Sequence, residues 1–212
     1  VNIPIDKIID LATNKNVQYL EIPKSLYETD DTNNRASCVQ LANERYNVSG
    51  KNVLIGFIDS GIDYTHPAFK DGEGNTRIEY IYDLSDGGKV YSKEIINQAI
   101  KSDNPYSIVP ERDLTGHGTH VAGDACAGGN IPEQYKGVAP DSMIAMVKGS
   151  RGRWVLSTQI LKGIKFLIDK SKELNVPLVI NISLSTNDGA HNGQSLLEKY
   201  ISTVCDLERI TV

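Results

Sequence analysis

Solid apolar runs alternate with amphipathic stretches along most of this chain. Three predominantly apolar runs have the length of a strand and predict strands buried on both faces; they cover residues 53–58, 143–147 and 178–182. Three other stretches carry apolar residues at helical spacing and predict helices; they cover residues 117–127, 160–168 and 196–204. Strands and helices that alternate in this way are joined by right-handed crossovers. The pattern therefore predicts an α/β layered domain whose parallel sheet is flanked by helices on both faces.

The N-terminal segment does not follow this alternation. Residues 6–12 suit a short helix, and residues 17–22 suit a strand that ends at Pro23. The polar stretch 28–35 has neither periodicity nor an apolar anchor. It predicts an exposed linker and a domain boundary.

Two further segments, 71–113 and 210–212, also carry predicted elements. Between residues 71 and 113 a strand at 77–82, a turn and a helix at 92–101 indicate a surface excursion from the layered domain. Residues 210–212 have the composition of a strand that is just beginning. We therefore expect the sheet to be incomplete at the C-terminal end.

Charge and composition narrow the classes of partner. The formal net charge is -5 at pH 7, so neither nucleic acid nor an anionic membrane is an expected partner. No apolar run approaches the roughly 20 residues of a membrane-spanning helix, and the first residues lack the layout of a signal peptide. Cys38, Cys126 and Cys205 are too scattered for a disulfide framework or a zinc site. Each is expected to be a small buried side chain.

Asp59 is the first candidate for chemistry, because it directly follows the predicted strand 53–58. Open α/β folds have their sites at the carboxyl edge of the sheet, and this strand end places a carboxylate there. Taken alone, an aspartate at a strand end also fits a turn or cap residue. The position therefore needs a partner before it indicates catalysis.

His117 is the second candidate and stands between two glycines at the start of an apolar helix. Small neighbours leave its imidazole open, and histidine is the side chain whose ordinary pKa suits proton transfer near neutral pH. His120 is expected to pack or to form a hydrogen bond inside the core. A zinc site on His117 and His120 is the alternative, but it lacks a third ligand and the glutamate of an H-E-x-x-H motif.

Together, residues 53–67 and 116–123 resemble the aspartate and histidine motifs of the subtilisin-like serine peptidases, in the order of that family. The resemblance extends over roughly residues 37–212, and it is nearest to the clostridial-type subtilases. It implies a subtilisin-like layered fold. It also implies a serine endopeptidase, a hydrolase of peptide bonds that works through an Asp-His-Ser triad.

The same resemblance implies roles for individual residues. Asp59 would hold the imidazole, and His117 would act as general base towards a serine hydroxyl and then as general acid towards the leaving amine. Ser183, Leu184 and Ser185 would form one wall of the pocket for the substrate residue before the scissile bond. Family members often carry glycine where Ser185 stands, so its side chain is expected to narrow that pocket.

The nucleophilic serine is missing from these residues. The family places it in a Gly-Thr-Ser motif, and no Gly-Thr-Ser occurs in the 212 residues. We expect this polypeptide alone to be inactive, because loss of the serine from such a triad costs on the order of a millionfold in turnover. Its partners would be an extended peptide or protein substrate and the remaining C-terminal portion of the catalytic domain, which carries the serine.

Three hypotheses stay open. In the first, the chain is the N-terminal portion of an active endopeptidase. In the second, it is an inactive subtilase fragment or pseudoprotease that binds peptides or proteins. In the third, it is an α/β domain unrelated to proteolysis. The paired motifs disfavour the third. Intact Asp59 and His117 favour the first, since a lineage without catalysis need not keep them.

The resemblance further implies a propeptide remnant at 1–27, a linker at 28–36 and the N-terminal portion of the catalytic domain at 37–212. A simple N-terminal extension is the alternative for the first segment. No cofactor is required for the chemistry. Structural calcium is common in the family, but no loop here has a recognisable calcium spacing. The clostridial likeness implies a secreted protein or one associated with the spore or cell envelope.

Overall fold

A mainly parallel sheet organises the computed structural model, which describes residues 4–17, 37–149, 155–184 and 192–212. In these residues five strands lie in the order β3-β2-β4-β1-β5. All neighbouring strands are parallel except the pair β2 and β3. The strands are β1 (Leu54–Asp59), β2 (Ile78–Asp83), β3 (Lys89–Ser92), β4 (Met143–Lys148) and β5 (Leu178–Asn181).

Helices cover both faces of this sheet. The α-helices of the described residues are α1 (Ile8–Ala12), α2 (Val39–Tyr46), α3 (Lys93–Ile100), α4 (Pro105–Ile108), α5 (His117–Cys126), α6 (Ser157–Leu174) and α7 (Leu196–Glu208). Helices α3 and α5 contribute to the core on one face, whereas α6 and α7 pack on the other. The predicted α/β fold with a parallel sheet flanked by helices is confirmed.

The strand β4 shows why the central strands read as solid apolar runs. Ile144 and Met146 lie in the core beneath α5, and Ala145 and Val147 lie in the core beneath α6. Successive side chains of a strand point to opposite faces, so a strand covered on both faces must be apolar at every position. Full burial of one large apolar side chain contributes about 1.5–3 kcal/mol.

The predicted elements agree with the structure apart from local differences. Helix α6 is longer than the predicted 160–168, and the excursion contains an unpredicted strand, β3, which forms a hairpin with β2. Thr211 forms a parallel bridge with Val179 at the edge of β5, which fits the expected strand opening at 210–212. The predicted strand 17–22 and linker fall almost entirely outside the described residues.

The cysteines only partly match the prediction that all three are buried. Cys126 is buried, whereas Cys205 is half-buried and Cys38 is exposed. Cys38 directly precedes α2, a helix with no buried residue, so it has no core to enter. Among the described residues, no helix has the length and apolar character to cross a membrane.

Candidate active site

Asp59 and His117 meet at the carboxyl edge of the sheet. Asp59 is the last residue of β1 and is 1% exposed, whereas His117 is the first residue of α5 and its side chain is 51% exposed. Nδ1 of His117 lies 2.8 Å from Oδ1 of Asp59. The two candidates that the sequence predicted are therefore brought together as a hydrogen-bonded pair with a buried carboxylate and an accessible imidazole.

The close approach of α5 to the end of β1 depends on Gly118. A Cβ at this position would lie 2.2 Å from the carbonyl oxygen of Gly61 and 3.1 Å from Oδ1 of Asp59. No side chain fits at such distances, so only glycine allows the first turn of the helix to reach the loop after β1. The spacing of the pair thus has a local cause in the sequence next to His117.

The carboxylate of Asp59 is bound on one oxygen only, as far as the described residues extend. The backbone N–H of Ser60 donates to Oδ1 over 2.7 Å, so this atom takes two hydrogen bonds. Oδ2 is buried without a hydrogen-bond partner among the described residues. The buried carboxylate of Asp59 therefore stabilises a positive charge on a neighbouring group, because electrostatic attraction is stronger where water is excluded.

A second set of hydrogen bonds joins the loop after β1 to the start of α5. The hydroxyl of Ser60 donates to Asp113 and accepts from the backbone N–H of Gly118. Asp113 in turn accepts hydrogen bonds from Thr119. Neither Ser60 nor Asp113 was among the residues predicted from the sequence. The available signal was an aspartate six residues before Thr119, near a helix start, where acceptors for free backbone N–H groups are favoured.

A buried ion pair lies next to this edge. The ammonium of Lys148 lies 3.3 Å from Oε1 of Glu111, and the two residues are 4% and 2% exposed. The ammonium also donates to the carbonyl oxygen of Arg112. Burial raises the pKa of Glu111 to about 7, although Lys148 opposes that rise. A second buried carboxyl group, which was not predicted from the sequence, therefore lies beside the candidate site.

The predicted wall of the substrate pocket lies only partly within the residues that the structure describes. Ser183 and Leu184 follow β5, the neighbour of β1, and so lie at the same edge of the sheet as Asp59. Ser183 is exposed and donates a hydrogen bond to Oδ1 of Asn181 over 2.9 Å. Leu184 is half-buried and packs against the core beneath α6. Ser185 lies outside the described residues.

The prediction that His120 packs inside the core is wrong. Its side chain is exposed, and Nε2 lies 3.6 Å from Oδ2 of Asp124, one helical turn further along α5. Residues four apart share one side of a helix, and here that side faces solvent.

The described residues contain no group of three or more histidine, cysteine, aspartate or glutamate side chains that could hold a metal ion. Asp71 is one acidic residue of the surface excursion. Its Oδ1 accepts hydrogen bonds from the backbone N–H groups of Glu73 and Asn75, and these two hydrogen bonds close a turn.

Residues 50–209 match the model of the subtilase family. The chain belongs to this family. The solved structure of the Clostridium perfringens CspB protease is 63% identical with a TM-score of 0.78, and the match covers 83% of this chain and 38% of that chain. This subtilase chain is also 25% identical to a PI-type proteinase of Lactococcus lactis subsp. cremoris, over 86% of its own length and 10% of the relative's.

A third relative is the minor extracellular protease Vpr of Bacillus subtilis, which is 34% identical over 45% of this chain and 10% of that protein. The chain thus spans 10% of the length of the two curated relatives and 38% of the CspB chain. The resemblance to subtilisin-like serine peptidases is confirmed at the level of family and fold.

Proposed function

We propose that this chain supplies the aspartate and the histidine of a subtilisin-type serine endopeptidase whose nucleophilic serine lies beyond Val212. The observation that carries the proposal is the 2.8 Å contact between Nδ1 of half-exposed His117 and Oδ1 of buried Asp59, in a chain of the subtilase family. A carboxylate that orients an imidazole is the arrangement that activates a serine hydroxyl in acyl transfer.

The chemistry follows from the two nitrogens of His117. Because Nδ1 is bound to Asp59, the proton sits on Nδ1 and Nε2 remains to accept the proton of the serine hydroxyl as its oxygen attacks the peptide carbonyl. The same Nε2 then returns that proton to the leaving amine. Asp59 keeps the ring in this tautomer and stabilises the imidazolium, without itself becoming protonated.

The substrate of this proposal is an extended peptide that lies along residues 183–185. Residues 183 and 184 follow β5, so their backbone can pair with a substrate strand, and Ser183 and Leu184 would line the pocket for the substrate residue before the scissile bond. The side chain of Ser185 would narrow that pocket. The PI-type proteinase and the CspB protease are relatives named as proteolytic enzymes, which supports this class of substrate.

The proposal also assigns the segments of the chain and its surroundings. Residues 37–212 form the N-terminal portion of the catalytic domain, residues 28–36 a linker, and residues 1–27 a propeptide remnant. The bridge between Thr211 and Val179 supports a further strand beside β5, where the rest of the domain would join. A secreted or envelope-associated location is proposed because one relative is named an extracellular protease.

A second candidate function is a pseudoprotease that binds peptides without cleaving them. It keeps the peptide-binding segment that follows β5 but has no activated serine to act with Asp59 and His117. The first proposal is preferred, since a binding module does not need the pairing of Asp59 with His117.

A fluorophosphonate probe on the native full-length protein tests the proposal, because this reagent reacts with activated serines. Mass spectrometry then locates the labelled residue. Label on a serine that follows residue 212 in the same protein, or on a co-purifying chain, is the expected result. Undetectable labelling of a folded preparation that still binds peptides would favour the pseudoprotease.

A further inference from the structure

The start of α5 uses hydrogen-bond acceptors from outside the helix. The first backbone N–H groups of any helix have no partner within it. In α5 the N–H of Gly118 donates to Oγ of Ser60 over 2.9 Å, and the N–H of Thr119 donates to Oδ2 of Asp113 over 2.8 Å. The acceptors come from two other segments, so these hydrogen bonds fix the helix start to its surroundings.

Ser60 connects the neighbours of both proposed triad residues. Its backbone N–H binds Oδ1 of Asp59, which is also the atom that His117 contacts. Its hydroxyl donates to Oδ1 of Asp113 over 2.8 Å while it accepts from the N–H of Gly118. A serine hydroxyl has one proton to donate, so its orientation here is determined by these two partners.

The carboxylate of Asp113 accepts the hydrogen bond from Ser60 and also binds the start of α5. Oδ1 also accepts from the N–H of Gly116 over 3.0 Å, and Oδ2 accepts from Oγ1 of Thr119 over 2.7 Å. Partial burial raises the pKa of Asp113, but hydrogen bonds from Thr119, Ser60 and Gly116 lower the pKa below its ordinary value. The carboxylate therefore stays charged near neutral pH and keeps both oxygens available as acceptors.

We infer that Ser60 and Asp113 are positioning residues that set the distance between Asp59 and His117. The inference rests on the proposed function. Asp59 ends a strand and His117 begins a helix, so their separation depends on what joins the two elements. A displacement of about 1 Å in such a pair is enough to lower a catalytic rate strongly. The hydroxyl of Ser60 is the shortest link between the end of β1 and the start of α5, because it accepts a hydrogen bond from the backbone N–H of Gly118, the residue that follows His117.

The test compares rates of fluorophosphonate labelling in variants of the full-length protein. Ser60→Ala removes the link and is expected to lower the maximal labelling rate about tenfold, the equivalent of one hydrogen bond. The probe concentration at half-maximal rate and the final extent of labelling are expected to stay as in the wild type. A folding defect would instead reduce the final extent, because unfolded molecules never react.

Matched variants make the result specific. Ser60→Thr keeps the hydroxyl and is expected to retain a rate within about threefold of the wild type. Asp113→Asn is expected to slow labelling, and the double variant with Ser60→Ala to be no slower than the slower single variant, because both residues act through one link. Ser171→Ala is the control, since it removes a 3.1 Å hydrogen bond from Oγ to the carbonyl oxygen of Ile168 within α6, on the other face of the sheet.

Each outcome decides the inference. A wild-type rate for Ser60→Ala overturns it and leaves the proposed function intact. An unreactive wild-type protein removes the proposed function and the inference with it. If the final extent of labelling of Ser60→Ala is incomplete, the labelling rates of Ser60→Thr and Ser60→Val are compared instead, because these two side chains have the same shape and differ in the hydroxyl group. A slower rate in Ser60→Val supports the inference, and equal rates overturn it.

Discussion

Lys148 and Asp59 stand side by side at the ends of two parallel strands, in register across β4 and β1. Their side chains have different partners, Glu111 for Lys148 and His117 for Asp59. Glu111 also lies against the loop after Asp59, since a Cβ on Gly61 would be 2.2 Å from its Oε1. The buried ion pair and the proposed catalytic pair therefore share one edge of the fold.

The first prediction concerns the strength of this ion pair. At a pH above the pKa of Glu111, about 7, Lys148→Met leaves an ionised carboxylate buried without its cation and is expected to lower the free energy of unfolding by about 3–5 kcal/mol. Urea denaturation of the full-length protein measures the change. Lys165→Met is the matched control, because Lys165 pairs with Asp169 on the exposed surface of α6, where water screens the pair, and its loss is expected to change the free energy of unfolding far less. Equal effects in the two variants would contradict the prediction.

The second prediction is a pH dependence of stability due to Glu111. Its pKa rises from an ordinary 4.5 to about 7 in the fold, so between these values the folded chain holds more protons than the unfolded chain. The stabilising contribution is therefore complete below the ordinary pKa and disappears as the pH rises through about 7.

Glu111→Gln removes this titration while it keeps the size of the side chain. Thermal unfolding between pH 4.5 and 7.5 is the measurement, and the variant is expected to lose the part of the downward slope that the wild type shows towards neutral pH. An unchanged slope in the variant would show that another group titrates there.

The third prediction concerns the role of Asp59. Asp59→Asn keeps the shape of the side chain but cannot hold the same tautomer of His117, and the expected loss in peptide hydrolysis is about 10⁴-fold. A peptide substrate and the full-length protein give the measurement. Asp103→Asn, an exposed residue of the surface excursion, is the control and is expected to retain full activity. An active Asp59→Asn variant would remove Asp59 from the proposed triad.

The fourth prediction separates two glycines of the same helix. Gly118→Ala would place a Cβ 2.2 Å from the carbonyl oxygen of Gly61, so the backbone there must shift, and we expect the contact between Asp59 and His117 to lengthen. We expect loss of both activity and stability. Gly123→Ala meets no atom within 4 Å and is expected to gain up to about 1 kcal/mol of stability from helix propensity. Comparable behaviour of the two variants in activity and unfolding assays would refute the steric argument.

Part of this fold could be predicted because its signals are local. The strand β1 is apolar at almost every position, and His117 stands between glycines at a helix start, so residue types alone indicated both. The short strand β3 was missed because its first two residues are exposed and only Tyr91 is buried, which leaves little apolar pattern to detect.

Other features depend on contacts that no local pattern encodes. Glu111 and Lys148 are charged residues 37 positions apart, and only the packing of the excursion against β4 buries them together. His120 was wrongly placed in the core because the apolar character of α5 did not reveal which side of the helix meets solvent. Ser60 and Asp113 lie next to the predicted motifs, but their connection spans 53 positions and exists only in the folded chain.

The most direct test of the central claim is the rate of fluorophosphonate labelling in the full-length protein with and without His117. We predict that the wild type is labelled at a single serine outside residues 1–212 and that His117→Ala, although folded, is labelled at a rate lower by at least about 10³-fold. Labelling of His117→Ala at the wild-type rate would contradict the claim that Asp59 and His117 activate that serine.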